Sequence, residues 1–475
     1  MRNHFHCHTA GRLAILLGLL LAVFSSSCDK RDAYGVPVGD TGLKSGINYM
    51  QPNKWEMKYE YWVKQITPTK IIRDKTPSEF NPKSKVVGKG TYEVYFTPPI
   101  ESDEVRHVEL VSIEPEPTRV EYSEKDGLTW YYWDVAPDDR LPETFKITAT
   151  WTFYTFERYV HWKGIEDMIK PYDKDSELYK RYTQEGLPYE FHAGLVKDAR
   201  DCRNAGDPDD VLDTTLAIYN YIIANYMYDH KHNDWVNYGE GGLVPTSRVW
   251  LNKRGVCDEF ANLFVTMARS QGIPARACAG MSHQPNAGFD FNNPQSATES
   301  LLDPGGHAWA EFYVEGVGWI PVDATWGDGD QVITPLLSPM GFRRNISWVD
   351  YYYGKMDPYR LTMYKDWNYE LMPAPRTPDA RKVEPWFVGT LERYSGIRDM
   401  VHGFGESTIE SELGNALNRE IGSESMWDSK NSAMEWKFVQ PPKEELDEII
   451  QEIKDEGYNY IPIPGLSLIS GGYAE

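Results

Sequence analysis

Three residues have the types and spacing needed for nucleophilic catalysis. Cys257 opens an amphipathic stretch, His307 begins a strand-like run, and Asp323 lies near the end of the next such run, after Gly318. A thiol, an imidazole and a carboxylate can serve as a nucleophile, a general base and a group that orients the base. The sequence therefore predicts a Cys–His–Asp site, provided that its elements bring the three side chains together.

The element that must position Cys257 is a helix predicted from about Val256 to Ser270. Its apolar stripe has helical spacing and comprises Phe260, Leu263, Phe264, Met267 and Ala268. Backbone N–H groups and the helix dipole at the amino end favour a thiolate over a thiol. The backbone N–H of Cys257 could also donate to the oxyanion of a tetrahedral intermediate. We therefore expect an activated nucleophile, although most helical cysteines are small buried hydrophobes.

The elements that must position His307 and Asp323 are two adjoining strands, and the loop between them sets their register. A two-residue turn would pair Ala310 with Asp323 and direct the carboxylate to the face opposite the imidazole. A three-residue loop at 315–317 pairs Trp309 with Asp323 instead. Asp323 then lies diagonal to His307 on the same face, about 7–8 Å away between backbones. We therefore predict the three-residue loop, with a glycine in the bulge conformation.

These segments resemble the transglutaminase-like superfamily. The resemblance rests on Gly-Val-Cys at 255–257, Gly-Ile-Pro-Ala-Arg at 272–276, Gly-His-Ala-Trp at 306–309 and Val-Asp-Ala-Thr at 322–325. It covers about residues 210–330, a quarter of the chain. The resemblance implies a papain-like fold in which Cys257 is the nucleophile, His307 the general base and Asp323 the orienting acid. It also implies acyl transfer through a thioester.

The resemblance further implies an upstream aromatic side chain near the oxyanion. Tyr228 and Trp235 are both candidates, and no motif chooses between them. The sequence has no Cys/His cluster with zinc spacing. Residues 327–330 are similar to a fragment of a calcium loop but lack its later glutamate. We therefore expect neither a metal nor a cofactor at this site.

The hydrophobic pattern and the resemblance together predict an α+β protein. Its papain-like transglutaminase core, made of helices and an antiparallel sheet, is expected over residues 166–380. A β-sandwich domain is expected ahead of it over residues 54–165, where apolar and polar residues alternate most clearly at 145–153. Residues 381–475 form a carboxy-terminal region that is partly helical, with one clear helix near 443–456.

Another helix is predicted ahead of Cys257. Asp207 is expected as its N-cap, with Pro208 at the first helical position and carboxylates in the first turn. An apolar stripe of helical spacing follows, and the helix is expected to end between Asn225 and Tyr228.

The amino terminus resembles a bacterial lipoprotein signal. A basic start precedes an apolar run at 13–24 that is too short to span a bilayer stably. Residues 1–27 are therefore predicted to be a signal peptide, Cys28 the lipidated first residue of the mature protein, and residues 28–53 a tether. The lipobox usually has leucine where Ser25 stands, so the alternative is an ordinary signal peptide with Cys28 as a free thiol.

The amino-acid composition limits the cellular compartment and the classes of binding partner that we expect for this protein. Only Cys202, Cys257 and Cys278 remain in the exported body, which is no disulfide framework. The formal net charge of −22 argues against nucleic acid as a partner because like charges repel. We expect a peptide or protein substrate, and a lipid anchor at Cys28 in the cell envelope, in the outer membrane of a Gram-negative bacterium. The oligomeric state stays open.

The predicted triad is compatible with three outcomes for a thioester. Water gives a peptidase or a glutamine deamidase, whereas an amine gives cross-linking. Because an exported enzyme has water in excess, we favour hydrolysis of a peptide or amide bond. The alternatives are a non-catalytic envelope module that binds peptide or glycan, and a structural partner in an envelope complex that docks through its carboxy-terminal hundred residues.

Overall fold

The structure is a computed structural model of the 475-residue chain. It describes residues 46–64, 92–134, 144–186, 188–229, 244–282, 305–328, 349, 352–367, 372–374, 390–394, 400–402 and 432–461. The predicted signal peptide, Cys28 and Trp235 lie outside these described residues. Within the described ranges, no helix combines the length and the apolar character needed to cross a membrane.

The described part of the chain contains helices and strands in mixed order. The helices are α1 (Trp162–Ile165), α2 (Glu177–Thr183), α3 (Ala193–Ala205), α4 (Val211–Asn225), α5 (Thr246–Asn252), α6 (Cys257–Ser270), α7 (Ala324–Gly327) and α8 (Lys443–Asp455), with a 3₁₀ turn at Glu166–Met168. The strands are β1 (Ile47–Lys64), β2 (Tyr92–Phe96), β3 (Val105–Glu114), β4 (Arg119–Ser123), β5 (Leu128–Asp134), β6 (Thr144–Val160), β7 (Met227–Tyr228), β8 (Arg254–Gly255), β9 (Ala275–Ser282), β10 (Gly305–Val314), β11 (Gly318–Val322), β12 (Lys355–Met356), β13 (Arg360–Lys365), β14 (Thr390–Tyr394), β15 (Met400–His402), β16 (Ser432–Val439) and β17 (Asn459–Tyr460).

A four-stranded antiparallel sheet and helix α6 form the centre of the core. The strand order is β11-β10-β9-β13. Phe312 of β10 contacts Phe264 of α6 at 6.1 Å between ring centroids, which places α6 against one face of this sheet. Because side chains alternate along a strand, His307 and Glu311 lie on the other face. The predicted helix, the antiparallel sheet and the α+β class are confirmed.

Helix α4 begins later than predicted. Its N-cap is Asp210, whose side chain accepts hydrogen bonds from the backbone N–H groups of Leu212 and Asp213. The prediction that Asp207 is the N-cap is wrong, because Asp207 accepts from the backbone N–H of Asp210 in a turn that precedes the helix. The end of the helix at Asn225 agrees with the prediction.

Two larger sheets contain most of the remaining strands. One follows the order β12-β6-β1-β16, with β3 on β6 and β17 on β1, and the other follows β15-β14-β2-β5-β4. Phe96 of β2 stacks on Tyr59 of β1 and on Trp151 of β6, at 5.0 and 5.3 Å between ring centroids. The alternating residues Ile147, Ala149, Trp151 and Phe153 are buried, as their period predicted. Aromatic packing therefore joins the two sheets.

These sheets include strands from far outside residues 54–165. Strand β1 begins at Ile47, inside the predicted tether, because residues 47–50 pair with the end of β6. Strands β14, β16 and β17 come from the carboxy-terminal region and pair with β2 or β1. The helix predicted near 443–456 is present as α8. The boundaries of a β-sandwich domain at 54–165 remain a prediction.

Candidate active site

Cys257 is the first residue of α6, and a tightly packed loop leads into it. Gly255 in β8 pairs with Tyr228 in β7. Val256 is the N-cap, and its backbone N–H donates to the Glu259 carboxylate at 2.7 Å. A Cβ atom at Gly255 would lie only 2.7 Å from Cβ of Glu259, so no larger residue fits without a shift. The chain is therefore held in place just before the thiol.

The surroundings of the Cys257 thiol favour its protonated form. Burial raises the pKa of this thiol above its ordinary value, and the adjacent Asp258 carboxyl raises it further. The backbone N–H of Ala308 in β10 donates to the sulfur and lowers the thiol pKa. Desolvation and the neighbouring acid thus oppose the resting thiolate that the N–H groups of the helix start favour. Cys257 must therefore pass its proton to another group when it reacts.

Two buried carboxyl groups lie directly after the thiol. Burial raises the pKa of Asp258 to about 6. Burial and the Asp258 carboxyl together raise the pKa of Glu259 well above its ordinary value. No sequence motif assigned a role to either residue. The raised pKa favours the protonated form of Glu259, whereas Asp258 is the nearer acid that opposes a thiolate at Cys257.

His307 and Asp323, near the start of β10 and just after the end of β11, form a hydrogen-bonded pair. Nε2 of His307 lies 2.7 Å from Oδ2 of Asp323. Val314 pairs with Gly318 across a three-residue loop, so the predicted register is confirmed. Gly316 in this loop has a left-handed φ of 85°, as the bulge conformation requires. Because Nε2 faces the carboxylate, Nδ1 is the ring nitrogen that can exchange a proton with a thiol.

Asp323 is held by a helix cap rather than by a strand. Strand β11 ends at Val322, and Asp323 is the N-cap of α7. Oδ1 of Asp323 accepts from the backbone N–H of Trp326 at 3.0 Å. The predicted strand from Trp319 to Thr325 is therefore too long, because the carboxylate caps a short helix at that point. This cap occupies one carboxylate oxygen and leaves the other for His307.

Arg360 also binds Asp323, a contact that no sequence motif indicated. Its Nη1 donates to Oδ2 of Asp323 at 2.5 Å, and its Nε donates to Asp357 at 2.8 Å. Arg360 opens β13 and pairs with Ser282 of β9, so the sheet fixes its backbone. Its sequence surroundings, residues 346–380, are rich in aromatic residues and proline and contain no motif that marks an arginine.

Two tryptophans enclose the His307–Asp323 pair. The His307 ring stacks on Trp326 at 4.7 Å between centroids and lies 6.1 Å from the ring of Trp309. The Arg360 guanidinium lies 4.0 Å from the Trp326 ring centroid. Both indoles are buried, which is typical of packing rather than of substrate contact. They shield the ionic contacts from water and so strengthen them.

The charge states of the pair allow the His307 imidazole to accept a proton. Burial lowers the pKa of His307 below its ordinary value and Arg360 lowers it further, whereas Asp323 raises it. Burial alone would raise the pKa of Asp323, but His307 and Arg360 lower it to about 2. A neutral imidazole therefore rests on an ionised carboxylate. The structure records no hydrogen bond between His307 and Cys257, two residues that it describes, and such contacts often tighten only when substrate binds.

The structure describes one of the two aromatic residues that were candidates for a place near the oxyanion. Tyr228 lies in β7 beside the loop that leads to Cys257. Burial raises the pKa of the Tyr228 hydroxyl, and Cys257 raises it further, so this phenol stays protonated beside the thiol. Trp235 lies outside the described residues. Within the residues that the structure describes, no three His, Cys, Asp or Glu side chains are grouped to hold a metal ion.

Comparison with known proteins finds similarity in the part of the chain that holds this site. A model described as the transglutaminase-like superfamily matches residues 199–324, about a quarter of the chain. An uncharacterized Haemophilus influenzae protein is 29% identical over 169 residues, which are 34% of this chain and 44% of that protein. The Bacillus subtilis protein YebA is 27% identical over 159 residues, which are 32% of this chain and 20% of YebA. The chain thus spans less than half the length of these relatives.

A solved structure from Cytophaga hutchinsonii is similar over a longer part of the chain. It covers 83% of this chain and 100% of its own, at 16% identity and a TM-score of 0.42. The family match includes Cys257, His307 and Asp323 and ends one residue after Asp323. Arg360 lies beyond the matched residues.

Proposed function

We propose that this protein, whose residues 199–324 match the model described as the transglutaminase-like superfamily, is a thiol enzyme that hydrolyses peptide or amide bonds. In this proposal Cys257 is the nucleophile, His307 the general base and Asp323 the group that orients the base. The observation that carries the proposal is the 2.7 Å contact between His307 and Asp323. The residue after His307 on β10 is Ala308, whose backbone N–H donates to the Cys257 thiol.

The protonation states support general-base catalysis rather than a resting ion pair. The thiol has a raised pKa and the imidazole a lowered one, so both are neutral before reaction. When Sγ of Cys257 attacks a carbonyl carbon, the thiol proton passes to His307 as the C–S bond forms. The oxyanion of the tetrahedral intermediate can accept from the backbone N–H of Cys257.

Collapse of the intermediate completes acylation. The C–N bond breaks, the leaving amine takes the proton from the imidazolium, and a thioester remains on Cys257. Water then gives a proton to His307 and attacks the thioester. The C–S bond breaks, the imidazolium returns its proton to the sulfur, and the acid is released. Asp323 stabilises the imidazolium in both half-reactions, because its ionised carboxylate contacts Nε2.

The test separates the fates of the thioester. The protein is incubated with a peptide library in ¹⁸O-labelled water, with monodansylcadaverine as the competing amine, and products are identified by mass spectrometry. We expect cleaved peptides that carry ¹⁸O in the new carboxyl group, and none with Cys257→Ala. Incorporation of the amine would identify a cross-linking enzyme, and conversion of glutamine to glutamate a deamidase. The absence of any product that depends on Cys257 would favour the binding module.

We also propose that the enzyme is exported and anchored by lipid at Cys28 to the outer membrane of a Gram-negative bacterium. The support is the apolar run at 13–24 followed by small residues and a cysteine. Expression in a Gram-negative host with labelled palmitate should label the wild type, and the label should be lost in Cys28→Ser. A labelled Cys28→Ser protein, or an unlabelled wild type, would contradict the anchor.

A further inference from the structure

Arg360 has more contacts than an ion pair on a surface would need. It is 2% exposed, and its guanidinium binds two carboxylates, Asp323 and Asp357, through Nη1 and Nε. The guanidinium also lies 4.0 Å from the ring centroid of Trp326 and 5.3 Å from that of Tyr352. A planar fork that binds carboxylates and stacks on aromatic rings is specific to arginine. Its orientation is therefore fixed.

The position of the Arg360 guanidinium affects the charge state of the His307 imidazole. Nη1 of Arg360 and Nε2 of His307 meet the same oxygen, Oδ2 of Asp323, at 2.5 and 2.7 Å. The carboxylate is thus held from two sides, while the helix cap holds its other oxygen. A permanent cation at the shared oxygen weakens the attraction that Asp323 exerts on an imidazolium. A carboxylate without that cation would keep the ring protonated to higher pH.

We propose that Arg360 is a positioning residue that fixes the Asp323 carboxylate towards His307 and keeps the imidazole neutral and ready to accept the Cys257 proton. This inference rests on the proposed function, since it assigns a role relative to the same thiol and imidazole. Arg360 itself touches neither substrate nor the reacting atoms.

The charged groups around His307 determine whether a substitution should raise or lower the His307 pKa. Asp323 faces the ring from the N-cap of α7, while Arg360 and Asp357 face it from β13 and the turn before it. Cys257 lies across β10 at the start of α6, beside Ala308. Arg360 lowers the pKa of His307, and Asp357 raises it. Loss of the arginine charge should therefore raise the His307 pKa, whereas loss of the Asp357 charge should lower it.

The experiment measures how the rate of Cys257 alkylation by iodoacetamide depends on pH, with the site of modification read by peptide mass spectrometry. This readout needs no substrate. In the wild type the rate should rise as His307 loses its proton. In Arg360→Met this rise should move to higher pH by about one unit, and in Arg360→Lys, which keeps the cation, it should stay closer to the wild type. Asp357→Asn should move it to lower pH.

Arg269→Met is the matched control. Arg269 is also buried, binds a carboxylate, that of Asp366, at 3.2 Å and lies over an aromatic ring, that of Tyr189, at 4.1 Å. It has no part in the His307–Asp323 pair, so its loss can change stability but should not move the pH profile.

The outcomes keep this inference separate from the proposed function. A wild-type profile that His307→Ala does not change would overturn the thiol–imidazole mechanism. A profile that depends on His307 but stays in place in Arg360→Met would overturn the role of Arg360 alone. Near-ultraviolet circular dichroism checks that each variant is folded. If Arg360→Met does not fold, Asp357→Asn provides the test. An alkylation profile of Asp357→Asn that stays in place or moves to higher pH would contradict the inference.

Discussion

Two buried ionic clusters each contain one residue of strand β10. They differ in one of the two partners that the buried carboxylate binds. In the first, Asp323 binds His307 and Arg360. In the second, Glu311 binds Arg276 at 2.7 Å and Lys365 at 3.2 Å. Both carboxylates are almost fully buried. His307 and Glu311 are four residues apart on one strand face, so the same sheet holds both clusters.

The difference lies in the protons that each cluster can exchange. Burial alone would raise the pKa of Glu311, but Lys365 and Arg276 lower it to about 2. The pKa of Asp323 is also about 2. Glu311, however, has two permanent cations, whereas Asp323 has one cation and one imidazole that titrates. A carboxylate with only permanent cations stabilises the fold, and one that shares its charge with an imidazole can also support proton transfer.

The largest expected effect is the loss of activity in Cys257→Ala. Without the sulfur no thioester forms, so turnover of a peptide substrate should fall by at least about 10⁴-fold. Thermal unfolding should change little, because the thiol makes no ion pair. The measurement is peptide turnover beside the melting curve, and a variant with substantial activity would show that another residue is the nucleophile.

The next largest effect separates the two clusters directly. Asp323→Asn should lower turnover by about 10³- to 10⁴-fold, because the amide cannot stabilise the imidazolium. Glu311→Gln should instead lower the free energy of unfolding by about 3 kcal/mol or more, since it leaves two buried cations with less countercharge.

Turnover and urea unfolding are measured on both variants. The contrast between the clusters fails if Glu311→Gln loses activity while it remains folded, or if Asp323→Asn keeps its activity.

Acid should remove the contribution of Glu311 to stability. Its pKa is about 2 in the folded protein, below about 4.3 in an unfolded chain. A group with a depressed pKa stabilises the fold above its unfolded pKa, and this stabilisation is lost as the pH falls through the folded value. Urea unfolding of wild type and Glu311→Gln should therefore differ by several kcal/mol at pH 7 and converge as the pH falls towards about 2. A constant difference would contradict this.

A smaller effect concerns the loop that sets the register of Asp323. Gly316 has a φ of 85°, and a Cβ there would lie 2.2 Å from the carbonyl oxygen of Met168. Gly318 has a φ of 113°, but a Cβ there would meet nothing within 4 Å. Gly316→Ala should cost about 2 kcal/mol or more of stability, and Gly318→Ala about 1 kcal/mol. Equal losses would mean that backbone strain alone matters at both positions.

The sequence predicted the parts of the site that depend on local pattern. Helix α6 and the three-residue loop follow from short-range periodicity and from one test of strand register. The apolar stripe placed Cys257 at the helix start, and the side-chain period placed His307 and Asp323 on one face. These features need information from only a few neighbouring residues.

The missed features depend on contacts between distant segments. Arg360 reaches Asp323 only because β13 pairs with β9, a pairing that no local pattern reveals. The carboxy-terminal strands join β1 and β2 in the same way. The effect of burial and of the adjacent Asp258 on the pKa of the Cys257 thiol is likewise absent from the helix pattern. Asp207 was chosen over Asp210 because nearby aspartates are equally good caps in sequence.

The central claim is that the His307–Asp323 pair activates Cys257, and the pH profile of Cys257 alkylation by iodoacetamide tests it most directly. In the wild type the rate should rise at a pH below about 6.5, the ordinary pKa of histidine, because burial lowers the His307 pKa. This rise should disappear in His307→Ala. A rate that rises only above about pH 8.5 in both proteins, as for an isolated thiol, would contradict the claim.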